Sequence, residues 1–240
     1  MTVVVLAGGR GTRLAGDADG PPKPLVEIGG RPILWHVLMH YARYGFRRFV
    51  VALGYRGDDV RRFFDSHGHG LPRSCDVQLV DTGTDTATGG RLRRLADRVG
   101  VGTFMMTWTD GLADVDLIGL LAFHRAHGRL ATMTAVRPPT RFGHLAFDGD
   151  RVTSFVEKPP HGEGWISGAF FVLEPAVLEY IDGDGTPWEQ DPLRRLAADG
   201  QLMGFRHESF WQCMDTEQDR KLLQAQWNQG QGRAPWNPAE

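Results

Sequence analysis

Apolar residues follow two rhythms along this chain. Short unbroken runs, as in Val3-Val4-Val5-Leu6, Phe49-Val50-Val51-Ala52-Leu53 and Phe104-Met105-Met106-Thr107-Trp108, predict strands buried on both faces. Other segments have helical spacing. Ile33, Leu34, Val37, Leu38 and Tyr41 fall on one face of a helix that opens with Pro32 and ends at Gly45. Further strands are predicted at 77–80 and 130–135, and further helices at 58–64, 90–99 and 117–127, with a polar loop at 82–89. This alternation predicts a Rossmann-like α/β fold: a mostly parallel central sheet flanked by crossover helices.

Past residue 136 the rhythm changes. Short runs at 145–147, 152–156 and 168–173, split by turns such as Asp148-Gly149-Asp150, predict a smaller mixed or antiparallel portion. Thr186-Pro187-Trp188-Glu189 has the spacing of a capped helix start, and a last helix is expected at 216–227. The tail, 228–240, is rich in Gly, Gln and Pro and is expected to be weakly ordered unless docked on a neighbour. With no repeat and no long linker, residues 1–227 read as a single domain with a first part (about 1–135) and a second (about 136–227).

Composition narrows the partners. A chain of 240 residues can bury a sizeable core. Its formal net charge of −2 gives no general pull toward nucleic acid or an anionic membrane. No run approaches ~18 apolar residues, so no membrane span is expected. The start is a strand rather than a signal segment, and the expected location is the cytoplasm. Cys75 and Cys213 are too few for a disulfide framework and read as reduced thiols.

The chemistry concentrates after the first strand, in Ala7-Gly8-Gly9-Arg10-Gly11-Thr12-Arg13, followed by Pro22-Lys23-Pro24. Glycines leave backbone N–H groups uncovered and free to converge, and such a nest binds anions. Arg10, Arg13 and Lys23 add positive charge suited to phosphate oxygens. The P-loop string is absent, and Leu14 stands where a Rossmann fingerprint needs its third glycine. His67-Gly68-His69 with Cys75 falls short of four zinc ligands and reads as a loop. Hydrolase strings are missing too.

Asp110 follows a predicted strand end and would face the same crevice as the glycine loop. A carboxylate beside a polyphosphate suits Mg2+, whereas Asp-Gly is also an ordinary turn. Asp215 precedes the last helix, where aspartate commonly serves as N-cap. Asp114 and Asp116 read as caps of the helix at 117. Glu157-Lys158 reads either as a surface pair or as a charge for a phosphate.

The loop Gly8-Gly9-Arg10-Gly11-Thr12-Arg13-Leu14, with Pro22-Lys23-Pro24, resembles the signature of the sugar-1-phosphate nucleotidyltransferases. The run Val26 to His36 is most similar to the glucose-1-phosphate cytidylyltransferases among them, and the likeness extends from Leu6 to Trp236. That resemblance implies the nucleotide-diphospho-sugar transferase fold, with the nucleotide bound by the first part and the sugar by the second. It implies that Asp110 and Asp215, the latter from the family's Trp-x-x-x-Asp-Thr segment that begins here at Trp211, share Mg2+. Lys158 would hold the sugar phosphate and Glu157 the sugar hydroxyls. Phe142, Gly143, Ser167, Gly168 and Trp211 would line the sugar pocket. Thr86 to Arg91 match the loop expected to close over a pyrimidine base, through Thr88, Gly89 and Arg91, with Leu6, Ala7 and Gly8 beneath it. Gly9, Gly11, Thr12 and Arg13 would hold the outer phosphates, and Lys23 the α-phosphate, making Arg13, Lys23 and Asp110 the catalytic set.

The implied partners are CTP, or another pyrimidine NTP, and a sugar 1-phosphate, in a homo-oligomer. A uridylyl- or thymidylyltransferase, or a non-catalytic nucleotide-sugar regulator, would share these motifs. Three departures stand out: Ser167-Gly168-Ala169 for the usual Asn-Gly-Gly, Trp108-Thr109 for Tyr-Gly, and a short excursion between Phe64 and Asp76.

Overall fold

The computed structural model describes residues 1–11, 20–66, 70–138, 144–156 and 164–237. All five side chains of β1 (Thr2–Leu6) are buried. The small hairpin β2 (Glu27–Ile28) and β3 (Arg31–Pro32) turns on Gly29 and Gly30, both at positive φ. Then come α1 (Ile33–Arg43), β4 (Arg48–Leu53), α2 (Gly57–Asp65), β5 (Asp76–Asp81), α3 (Thr88–Arg94), α4 (Ala96–Val99) and β6 (Phe104–Trp108). After β7 (Gly111–Ala113), α5 (Leu117–His127) and β8 (Ala131–Val136), the second half begins with the hairpin β9 (His144–Asp148) and β10 (Arg151–Val156). It continues through β11 (Ile166–Leu173), α6 (Asp191–Ala198), β12 (Leu202–His207), β13 (Trp211–Cys213) and α7 (Glu217–Gln229).

Seven strands form the main sheet in the order β12-β8-β11-β6-β1-β4-β5. All its neighbours pair in parallel except β11, which is antiparallel to both β6 and β8. The expected mostly parallel sheet with smaller antiparallel elements is therefore what forms. Because side chains alternate across a strand, β1 feeds two cores. Val3 and Val5 pack on the α1 side with Leu34 and Leu38, while Val4 and Leu6 pack on the α3–α4 side with Leu92 and Leu95. From β1 the chain moves outward to β4 and β5 and returns on the other side at β6. Such a reversal opens a crevice beyond the carboxyl ends of β1 and β6. The glycine loop and Asp110 follow those two ends.

Several boundaries differ from the sequence reading. Pro32 is the N-cap rather than the first helical residue: its ψ of 145° keeps it extended, opposite Glu27. The basic helix starts at Thr88, because Gly89 and Gly90 lie flush against the backbone of Asp184 and Thr186, and it breaks at the buried Leu95. No helix starts at Thr186. Its hydroxyl accepts from the Gly183 N–H, and the chain drives Trp188 into the core before α6 opens with Asp191-Pro192. Ala234 and Trp236 are buried, and the Trp236 indole donates to His36 Nδ1 at 3.2 Å, so the chain's own helix α1 supplies the docking surface.

Candidate active site

Leu6 pairs with Ala52 on one side and Trp108 on the other, so β1, β4 and β6 end at one level. Ala7 still donates to the Ala52 carbonyl, at 3.0 Å, before the glycine loop turns away. At Gly8 any side chain would collide with the guanidinium of Arg91. Gly11, at φ 58°, packs against the stem of Lys23, where an added Cβ would come within 2.8 Å of Lys23 Cβ. Lys23 opens a single 3-10 turn, Lys23–Leu25, whose N-cap is Pro22.

Asp215 reaches Asp110 through backbone pairing. Strand β7 lies antiparallel to β13, with Gly111 opposite Cys213, and the Met214 N–H donates to the Asp110 carbonyl at 2.7 Å. Asp215 is not the cap of α7. Thr216 is, in a capping box with Asp219, whose Oδ2 also accepts from the Asp215 N–H. Asp116 caps α5, accepting from Ile118 and Gly119, whereas Asp114 accepts from the Ser209 hydroxyl instead.

The two carboxylates meet on one cation. Lys23 Nζ donates to Asp110 Oδ2 at 2.8 Å and to Asp215 Oδ1 at 2.7 Å. The lysine side chain is only 12 % exposed, against 32 % and 26 % for its partners. Burial alone would lower the Lys23 pKa, but the two carboxylates outweigh it and hold the ammonium above its usual 10.5. All three side chains line a cavity of about 330 Å³.

Leu6, Ala7, Gly8, Gly9 and Gly11 form one wall of that cavity, and Thr88 and Arg91 border it from α3. Arg91 is buried and occupied. Its guanidinium donates to the carbonyls of Gly8, Leu53, Gly83 and Thr84 and to the Thr82 hydroxyl, tying three backbone segments together. The solvent-exposed alternative for this arginine is excluded. The Thr88 hydroxyl is likewise engaged, with Glu189 and the Trp188 N–H. Gly89 faces away from the cavity onto the Thr186 carbonyl. Arg10, read as a phosphate cation, pairs with Asp85 at 2.8 Å and lies over the Tyr55 ring.

Beside this cavity the Trp211 indole donates to the Gly168 carbonyl at 2.9 Å, joining β13 to the irregular part of β11. Ser167 Oγ accepts from the Ala169 N–H, and Ala169 adopts φ 67° where the family pattern has glycine. Thr12, Arg13, Phe142, Gly143, Glu157, Lys158 and the 67–69 segment lie outside the described residues. Thr86 and Ala87, from the loop expected over the base, also line the cavity; Pro24, Trp108 and Thr109 line it too and were not selected from the sequence, although they adjoin Lys23 and Asp110 in the chain. Among the described residues no helix is long and apolar enough to cross a membrane, and no three His, Cys, Asp or Glu side chains gather as a metal cage.

Known proteins are similar to this chain over nearly its whole length. The family profile described as Nucleotidyl transferase matches residues 2–229. A glucose-1-phosphate cytidylyltransferase of Salmonella typhi is 43 % identical, with 100 % of both chains covered. A probable glucose-1-phosphate cytidylyltransferase of Bacillus subtilis is 38 % identical over 96 % of this chain and 98 % of its own. Among solved structures, HddC from Yersinia pseudotuberculosis superposes with a TM-score of 0.73 at 25 % identity, covering 94 % of this chain and 99 % of that one. The chain belongs to the nucleotidyl transferase family, as one of its sugar-1-phosphate nucleotidyltransferases.

Proposed function

We propose that this enzyme joins CTP and glucose 1-phosphate into CDP-glucose and pyrophosphate. The observation that carries the reading is the convergence of Lys23, Asp110 and Asp215 at the mouth of a glycine-walled cavity. The choice of CTP and glucose 1-phosphate follows the two cytidylyltransferase relatives, matched over almost their full lengths.

In the proposed reaction a phosphate oxygen of the sugar 1-phosphate attacks the α-phosphorus in line. The bond from that phosphorus to the bridging oxygen breaks, and its electron pair leaves with pyrophosphate. The nucleophile is already anionic, so the chain need only orient the reactants and offset charge developing at the α-phosphate. Uncovered amides of the glycine loop, with Arg13, would hold the outer phosphates, and Lys23 the α-phosphate. Lys158 would fix the sugar phosphate, with Glu157, Phe142, Gly143, Ser167, Gly168 and Trp211 around the sugar. In this reading residues about 1–135 and 136–227 act as nucleotide and sugar parts of one domain.

A divalent cation, Mg2+ in our reading, fits the donor set. Mg2+ is commonly held by one or two carboxylates plus substrate phosphates, and Asp110 and Asp215 already share one cation. When bound it would neutralise phosphate charge. Pyrophosphate release across a matrix of NTPs and sugar 1-phosphates tests the proposal. Turnover is expected with CTP and glucose 1-phosphate; turnover only with UTP or dTTP would reassign the base. Nucleotide binding without turnover for any pair would make the chain a regulator.

A further inference from the structure

The Lys23 ammonium stands between the two carboxylates that would hold the metal. A cation shared by Asp110 and Asp215 and the ammonium compete for one position, since Mg2+ needs carboxylate oxygens at about 2.1 Å. We infer that Lys23 is a placeholder for the metal, and that metal and nucleotide bind interdependently because each frees or occupies this side chain. The inference rests on the functional reading above.

Charge and geometry both argue for it. With Lys23 between them, Asp110 and Asp215 leave one net negative charge among the three, and Arg91, which also lines the cavity, brings these four side chains to neutrality. Adding a divalent cation turns that into two net positive charges. The metal-loaded site therefore attracts a polyphosphate more strongly than the metal-free one. A metal arriving alone must displace an ammonium from two hydrogen bonds and leave it without anionic partners in a site where it is only 12 % exposed. A metal arriving with nucleotide brings a phosphate to receive that ammonium.

The displacement requires no backbone change. Lys23 is rooted in its own short turn, with the Val26 N–H on its carbonyl at 3.2 Å and Gly11 packed on its stem. Only the flexible four-carbon arm must swing. Coupling of this kind is reciprocal: whatever factor metal adds to nucleotide affinity, nucleotide adds to metal affinity.

Mn2+ binding, read by the loss of the free-ion paramagnetic resonance signal, tests this without turnover. Wild type, Lys23→Met and Lys23→Ala are titrated without nucleotide and again with saturating CTP, each CTP titration read against a protein-free CTP blank because the triphosphate itself binds Mn2+, after circular dichroism verifies each fold. The methionine keeps the stem, so at least one variant preserves packing. The expectation is weak Mn2+ binding by wild type alone, and binding on the order of tenfold tighter in the variants, the scale of a partly buried ion pair. CTP should tighten Mn2+ binding to wild type, and Lys23→Met combined with Asp110→Asn should lose the gain. Equal Mn2+ affinity in wild type and variants without CTP overturns the placeholder while leaving the functional reading intact. Absence of Mn2+ binding in every protein, with CTP present, overturns both.

Discussion

The cavity beyond β1 and β6 and the β9–β10 hairpin are built on opposite principles. Around the cavity, positions are over-determined: one arginine ties three segments, a capping box seats Thr216 at the entrance of α7, and the β7–β13 ladder brings Asp215 to Asp110. In the hairpin every side chain of Arg151–Val156 is exposed, with Phe155 at 62 % and Val152 at 49 %. A lone two-stranded ribbon is marginal in water. The ribbon carries little of the fold's own stability.

Four measurements would break or sharpen that contrast. The largest effect is expected from acid. His36 and His40, buried on α1, are held down to about 4 by burial, against a backbone carbonyl bond that favours the charged form. Both stay neutral in the folded protein, whereas the unfolded chain takes up protons near 6.5. Stability is therefore full above about pH 6.5 and falls toward about pH 4, by about 3 kcal/mol for each histidine. Urea midpoints should fall as pH is lowered across this range; a flat profile would refute the buried neutral pair.

Next comes Lys23→Ala, expected to lower kcat by roughly two to three orders of magnitude while the circular dichroism spectrum persists. Near-normal kcat would remove Lys23 from the chemistry. Trp236→Phe should cost about 1–2 kcal/mol in urea unfolding, through the lost bond to His36 and the smaller ring. Smallest is Phe155→Ser, expected to change unfolding stability by less than about 0.5 kcal/mol. A larger loss would mean that the ribbon is packed after all.

Much of the site was legible because its parts are local. The Gly-Gly-x-Gly loop, taken with Thr12, Arg13 and the Pro-Lys-Pro segment that follows, reads as an anion nest from the sequence. Asp215 was ambiguous between cap and ligand, since both roles ask for a carboxylate at a helix entrance; the cap proves to be Thr216, in a box with Asp219. Arg91 was harder. A basic helix next to a glycine pair does not reveal that the side chain turns inward to carbonyls as distant as Gly8. Thr186 misled for a related reason, its hydroxyl serving a turn that a local pattern cannot tell from a cap.

Local chemistry in the chain thus determined the alternating elements, the sheet's mostly parallel character and the glycine-rich turn after the first strand, because periodicity and glycine content act over a few residues. The tertiary structure decided what depends on long-range closure. It seated Lys23 between Asp110 and Asp215, buried the Arg91 charge among carbonyls, and folded Trp236 back onto His36. Partners up to 200 residues apart are chosen by packing and by the need to satisfy buried polar groups, and no stretch of sequence encodes that by itself.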